Sequence, residues 1–381
     1  MPLKTINKFL NKSKVSNINP ELFHNMAIKF SKKAEKSEFI LKKMKKTFYV
    51  ESEKNLSFKI WDLEFPNPIW LAAWFTKEPV WLKFWEAFWF GSITIWGITK
   101  FAQPWNKKKR IFRFSDWIVN WMGLPGNWLE ETVKMLEERK KQNMMPSIPL
   151  WANLCNSAIT KAEDKISEFK EEMLGLYPFV DFFEINVSCP NQAGVCSLQL
   201  EIENILEELT KYNLELEKKL KIKRRILFVK ISPLTKNKEM PEDGTIEWLK
   251  SLAEIFNKYV WKWLDWVIAT NTAKEHKYKN KTKIKTPSWD IITGWASGKQ
   301  IQKISLKTVE KLKEFLDKEI PIIWVGWIGY DKKWLEWQSW VNMLNAWAIS
   351  LQIFSSFVQD WTIWVVKDLK KAILKSRESQ I

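Results

Sequence analysis

Lys77, Asn153, Asn186, Ser188, Cys189, Asn191, Lys230, Thr270, Asn271, Gln352 and Ser355 all fall at or just beyond the C-terminal end of a short apolar run. Asparagine recurs among them. Its carboxamide sets a donor beside an acceptor, which suits the mixed polar edge of a pyrimidine or a flavin. A single asparagine in such a place is more often a loop cap. Recurrence on successive runs favours a binding site. The chain has only two histidines, His24 and His276. A Ser-His-Asp triad and a multi-histidine metal centre are therefore not expected, and no metal site is assigned.

The runs that carry these residues read as strands. They are NPIWLAA from Asn67, SITIWGIT from Ser92, IPLWANL from Ile148, FFEINVS from Phe182, ILFVKIS from Ile226, DWVIATN from Asp265, PIIWVGW from Pro321 and ISLQIF from Ile349. Amphipathic segments such as WLEETVKMLEERKKQ and LKTVEKLKEFLDK lie between them. Eight alternating units predict an α/β fold, a (β/α)8 TIM barrel, whose active residues gather at the C-terminal strand ends. A doubly wound sheet would place a glycine-rich turn after its first strand, and none is present. Ahead of the barrel, Leu22, Phe23, Met26, Ala27 and Phe30 recur at helical spacing, and Phe39, Ile40 and Met44 continue an apolar face among lysines. The expected division is a helical extension over residues 1–48 and a barrel over 49–381. The extension reads equally as a cap on the barrel or as a basic amphipathic surface for a membrane. The lysine-rich stretch from Lys274 to Lys285 reads as an exposed loop.

The net charge of +17 opens the possibility of nucleic acid or anionic membrane as a partner. The lysines are spread along the chain, and no zinc-finger spacing or RNA-binding aromatic signature accompanies them, so nucleic acid is not expected. No run of 18 apolar residues is present and the first residues lack the apolar centre of a signal peptide. Three cysteines do not make a disulfide framework. A cytoplasmic protein is expected, peripheral on the inner face of the cell membrane.

Glycine is scarce and tryptophan abundant, 11 against 26. An ordinary chain of this length carries about 27 glycines. In PIIWVGWIGY, Trp324 and Trp327 stand at a strand end and in the following turn, where the backbone usually needs the smallest residue. Similar placements recur at Trp70, Trp74, Trp96, Trp105, Trp295 and Trp347. A stop codon reassigned to glycine, an alternative genetic code, would give this pattern when read as tryptophan. Trp248, in a helical stretch, has no such motif around it.

The stretch EINVSCPNQAGVCSLQ, Glu184 to Gln199, resembles the active-site loop of the dihydroorotate dehydrogenases. VKISP from Val229, ATNT from Ala269, TGWASGK from Thr293 and IPIIWVGWI from Ile320 resemble further signatures of that family in the same order. The resemblance spans nearly the whole chain from about Asn19. It implies FMN and the oxidation of dihydroorotate to orotate in pyrimidine (UMP) synthesis. It also implies glycine at Trp70, Trp74, Trp105, Trp295, Trp324 and Trp327. A base takes the C5 proton while the C6 hydride passes to the flavin.

By that match Cys189 is the base, a thiolate whose free form titrates near about pH 8.5. Lys77 reaches substrate and flavin, Asn120, Met122, Gly123 and Leu124 cover the substrate, and Asn186, Asn191, Asn271 and Thr272 grip its polar edges. Lys230 lies beside the flavin ring, where its charge would stabilise reduced flavin. Asn153 and Thr270 are further flavin contacts, as are Ala73, Trp74 and Gly97. Gly298, Gly326, Trp327, Phe354 and Ser355 match the phosphate loops, where backbone N–H groups do the holding.

The match is not uniform. NPELFHNMAIKF (Asn19–Phe30) and QPWNKKKRIFRF resemble the quinone-reducing, membrane-associated class, whose usual base is serine. Cys189 is typical of the soluble classes. The helical extension carries the greater weight, since it is a whole structural element and a base swap needs one residue. Thr76, Gly97 and Phe354 replace a common aspartate, threonine and tyrosine, and the loop at Ser157 departs from a lysine-containing pattern. The resemblance implies a membrane quinone as acceptor, with the extension over residues 1–48 facing membrane or quinone. The alternatives are a soluble fumarate- or NAD-linked enzyme, another FMN barrel acting on dihydropyrimidines, and a basic non-catalytic protein binding nucleic acid or membrane.

Overall fold

The computed structural model describes residues 20–379, except 52, 74–78, 108–109, 114–116, 127, 189–200, 235–244, 260–264, 275–283, 286–290, 293, 318–319, 327, 329–340, 342–343, 345–347 and 354–363. All eight strands read from the sequence form in order: β1 (Ile69–Leu71), β2 (Ser92–Ile98), β3 (Leu150–Leu154), β4 (Phe182–Asn186), β5 (Ile226–Ile231), β6 (Trp266–Ala269), β7 (Ile322–Val325) and β8 (Ala348–Ile353). Each pairs in parallel with its sequence neighbours, and β8 returns to β1, so the sheet closes into a barrel.

Parallel strands covered on both faces should be apolar throughout. Phe182 to Asn186 and Ile226 to Ile231 are buried at every position. Alternation along each strand sorts their side chains. Phe183, Ile185, Leu227 and Val229 join the core under the outer helices, whereas Phe182 and Phe228 point the other way and meet Trp70, Trp151, Trp266, Ile268 and Ile323 inside the barrel. An antiparallel hairpin, Phe58–Ile60 with Leu63–Phe65, contributes Ile60 and Phe65 to this inner cluster.

The helices are amphipathic, as the spacing predicts. α1 (Pro20–Glu35) and α2 (Glu38–Phe48) precede the barrel; α3 (Leu82–Glu86), α4 (Leu129–Lys141), α5 (Lys165–Leu176), α6 (Ile202–Leu220), α7 (Ile246–Tyr259), α8 (Lys299–Phe315) and α9 (Val365–Glu378) follow. In α6, Ile202, Ile205, Leu206, Leu209 and Leu216 face inward and the charged residues face out. The Ser37 hydroxyl accepts from the Ile40 N–H and starts α2, whose Met44 and Phe48 pack on the barrel wall. Phe30 and Phe39 remain 54% and 74% exposed. The described residues contain no helix long and apolar enough to cross a membrane.

One element was not foreseen. The excursions after β2 and β6 pair into a four-stranded antiparallel sheet ordered Ala273–Lys274, Trp295–Gly298, Trp117–Asn120 and Ile111–Arg113. The ends of the stretch read as a loop, Ala273–Lys274 and Ile284–Lys285, are strands; its middle lies outside the described residues.

Candidate active site

Alternation carries the inner rows of β3, β4 and β5 from aromatic to polar toward their C-terminal ends. Trp151 gives way to Asn153, Phe182 to Glu184 and Asn186, and Phe228 to Lys230. Cross-strand register sets Asn153 beside Glu184 and Asn186 beside Lys230. All four are buried. Such groups must satisfy one another or a ligand.

They bond to one another and to the residues around them. The Lys230 ammonium lies 2.9 Å from Glu184 Oε1, and the Asn153 amide donates to the same oxygen. Asn186 Nδ2 donates to Asn153 Oδ1 at 3.2 Å. Asn271, just past β6, donates to Ser188 Oγ at 3.0 Å and reaches Asn186 Oδ1 at 3.4 Å. Its own Oδ1 accepts from the Thr272 N–H at 2.8 Å. Four strands thus share one buried polar network. Gly97, on β2, leaves room for it: a Cβ there would stand 3.0 Å from Cys155 Sγ and 3.2 Å from Asn153 Oδ1. Cys155 itself is buried and donates to Asn153 Oδ1.

The antiparallel sheet brings the proposed substrate cover to this mouth. Asn120 is paired in register with Trp295, and its Nδ2 reaches the Trp295 carbonyl at 3.4 Å. Met122 and Leu124 are buried beyond it, and between them Gly123 has φ of +80°, which suits glycine. Asn106 braces this turn, donating from Nδ2 to the Trp121 carbonyl at 3.1 Å.

On the β6–β7 side, Thr270 N–H donates to the Val325 carbonyl at 2.9 Å and its hydroxyl meets Ser305 of α8 at 3.2 Å. Ser305 also receives the Trp324 indole N–H at 2.9 Å. Gly298, φ +116°, leads directly into α8, so the free N–H groups of that helix start beside the strand sheet. Ala73 follows β1 and is buried. Lys77, Cys189, Asn191, Trp74, Trp327, Phe354 and Ser355 lie outside the described residues.

The loop after β3, doubtful in sequence, is held by a buried carboxylate. Glu168 accepts from the N–H and hydroxyl of Ser157 and from the Lys100 N–H at 3.1 Å. Beside it, burial pushes the Glu172 carboxyl well above the ordinary glutamate range, and the Glu168 charge adds to the effect.

Glu184 was missed in the sequence, where it sat inside a run read as apolar. Its signal was parity: it lies two residues from both Phe182 and Asn186, on the inward row. Gln352, noted as a polar strand end, is buried on β8, and among the described residues neither carboxamide atom has a protein partner. Asn120 Oδ1 and Glu184 Oε2 are likewise buried and unpartnered among them. Orphaned donors and acceptors at one barrel mouth fit a planar group with alternating carbonyl and N–H edges, such as FMN.

A family model described as dihydroorotate dehydrogenase matches residues 55–375. The chain belongs to the dihydroorotate dehydrogenase family. It is an FMN-dependent oxidoreductase. Relatives named dihydroorotate dehydrogenase (quinone) include one from Christiangramia forsetii, 28% identical over 93% of this chain and 95% of its own. Another, from a Cyanothece species, is 29% identical over 86% of this chain and 80% of its own. Among solved structures, DHODH from Eimeria tenella in complex with ferulenol superposes with a TM-score of 0.76 at 23% identity, covering 98% of this chain and 95% of that one. The shared barrel is the fold of this family, and its C-terminal mouth is where the buried polar network lies.

Proposed function

We propose that the protein oxidises dihydroorotate to orotate in pyrimidine synthesis and passes the electrons to a membrane quinone. The observation that carries the reading is the buried network of Asn153, Asn186, Lys230 and Asn271 at the barrel mouth. FMN, when bound, supplies the acceptor for the C6 hydride. Asn153, Thr270, Lys230, Ala73, Gly97 and Gln352 would line it, and the start of α8 at Gly298 would receive its phosphate together with the loops bearing Trp327, Phe354 and Ser355. Asn186, Asn191 and Asn271, with Thr272, orient the pyrimidine through paired donors and acceptors. Asn120, Met122, Gly123 and Leu124 cover it and exclude water. Lys77 balances its negative charge. Cys189 Sγ, as thiolate, takes the C5 proton.

The quinone assignment draws on the names of the relatives and on α1 and α2, which carry exposed Phe30 and Phe39 among lysines and would form the quinone's way in. An amphipathic surface of this kind supports a peripheral position on the inner face of the cell membrane. Turnover of dihydroorotate by the purified yellow protein is expected to be faster with a short-chain quinone than with fumarate or NAD. Faster turnover with fumarate or NAD would assign it to a soluble class, and a colourless protein would remove the flavin reading altogether.

We also infer that many tryptophans of this chain stand for glycine. Trp61, Trp81 and Trp89 have φ of 54°, 63° and 63°. A bulky residue is an outlier in this left-handed region, and glycine is at home there. Trp61 opens the turn of the hairpin, and Trp89 follows α3, where glycine commonly ends a helix.

A further inference from the structure

We propose that Glu184 is a positioning residue that sets the electron affinity of the flavin by holding and partly neutralising Lys230. This rests on the flavin reading of the site.

Glu184 is wholly buried and the Lys230 side chain is 4% exposed, so water screens neither. Their contact is 2.9 Å. The same carboxylate oxygen takes the Asn153 amide, so one group fixes the side chain beside it on β3 and the Lys230 side chain, which lies opposite Asn186 on β5. Nothing else among the described residues pairs with the Lys230 ammonium at ion-pair distance. Glu184 Oε2 has no partner among the described residues. A buried carboxylate so poorly satisfied is a costly ornament if it serves packing alone.

The consequence is electrostatic. An uncompensated ammonium beside the flavin favours the reduced, anionic ring over the oxidised, neutral one. Glu184 returns a negative charge to the same spot and limits that preference. The site therefore gives up its electrons more readily than Lys230 alone would allow, as an enzyme must that passes them on to a second acceptor.

The test is a spectroelectrochemical titration of the flavin-loaded protein and of Glu184→Gln, which keeps shape and amide contacts but removes the charge. The reduced-to-oxidised ratio at fixed potential should rise at least tenfold in the variant, a midpoint about 30 mV more positive for a two-electron couple. Lys230→Met should shift it the opposite way, and the double variant, which removes both charges, should lie between the two single variants. A flavin-bearing Glu184→Gln with an unchanged or more negative midpoint overturns the proposal. If that variant lost its flavin, Glu184→Asp must recover both flavin and the original midpoint; failure to do so also overturns it. Loss of flavin from the unaltered protein would instead count against the flavin reading itself.

Discussion

Arg139 grips Glu35 through both terminal nitrogens, at 3.1 and 2.6 Å, and so ties the end of α1 to α4 on the barrel. The same carboxylate accepts from the Trp81 and Lys83 N–H groups at 3.1 and 2.9 Å, at the start of α3. Both side chains are largely buried. Removing one partner strands the other charge, which typically costs about 3–5 kcal/mol. Glu35→Ala should lower unfolding stability by that order, measured by denaturant titration. It should also slow turnover with quinone far more than turnover with a small soluble dye, because the extension loosens while the barrel mouth stays intact. Equal loss with both acceptors would mean that α1 has no part in quinone access.

Cys189→Ala should reduce steady-state oxidation by about 10²–10⁴-fold while flavin stays bound. Cys189→Ser should keep part of the activity and need higher pH, since a hydroxyl gives up its proton less easily than a thiol. Full activity in the alanine variant would move the base to another residue.

Glu172 makes stability depend on pH. Its folded carboxyl holds its proton well above the ordinary range because of burial first and Glu168 second. Between the unfolded and folded titration points the folded state therefore binds more protons, and stability falls as pH rises through that window. The slope is at most about 1.4 kcal/mol per pH unit. Glu172→Gln should flatten it. Melting curves of both proteins from pH 4 to 8 that ran parallel would refute this assignment.

Peptide mass mapping of the protein from its own cells should find glycine at Trp61, Trp81 and Trp89, and at Trp324, Trp327 and Trp347. Each left-handed position costs a side-chain-bearing residue about 1–2 kcal/mol, so the glycine-restored chain should also fold with FMN more readily than the chain as written. Trp248, buried within α7, serves as the control for a genuine tryptophan. Tryptophan recovered at the three left-handed turns would end the argument.

The barrel was legible because each strand is a short apolar run and each helix shows a one-sided stripe, signals that need only local sequence. The strand-end asparagines were legible for the same reason: their place followed from the run that precedes them. The antiparallel sheet was not, because Trp117–Asn120 and Trp295–Gly298 are far apart in the chain and neither alternates cleanly enough to name its partner. Glu184 was hidden by its apolar neighbours, and only knowing which strand face points inward reveals it. The left-handed tryptophans escaped notice because a turn's φ is set by tertiary closure. The glycine motifs at Trp70 and Trp324 were visible in sequence; there the structure fills the space instead, with Trp70 stacked on Phe65 and Trp324 wedged against Ser305.

The pairing of Asn120 with Trp295 and of Trp117 with Gly298 makes one ribbon of two segments that, in the proposed function, would serve different ligands. A lid over the pyrimidine would thereby be welded to the strand proposed to deliver the backbone to the cofactor's phosphate. Lifting the lid as a rigid flap would pry at the anchor of the cofactor on every cycle. Release of product without loss of flavin then requires the hinge to lie beyond the weld, in the turn at Gly123, where the backbone already has glycine's freedom.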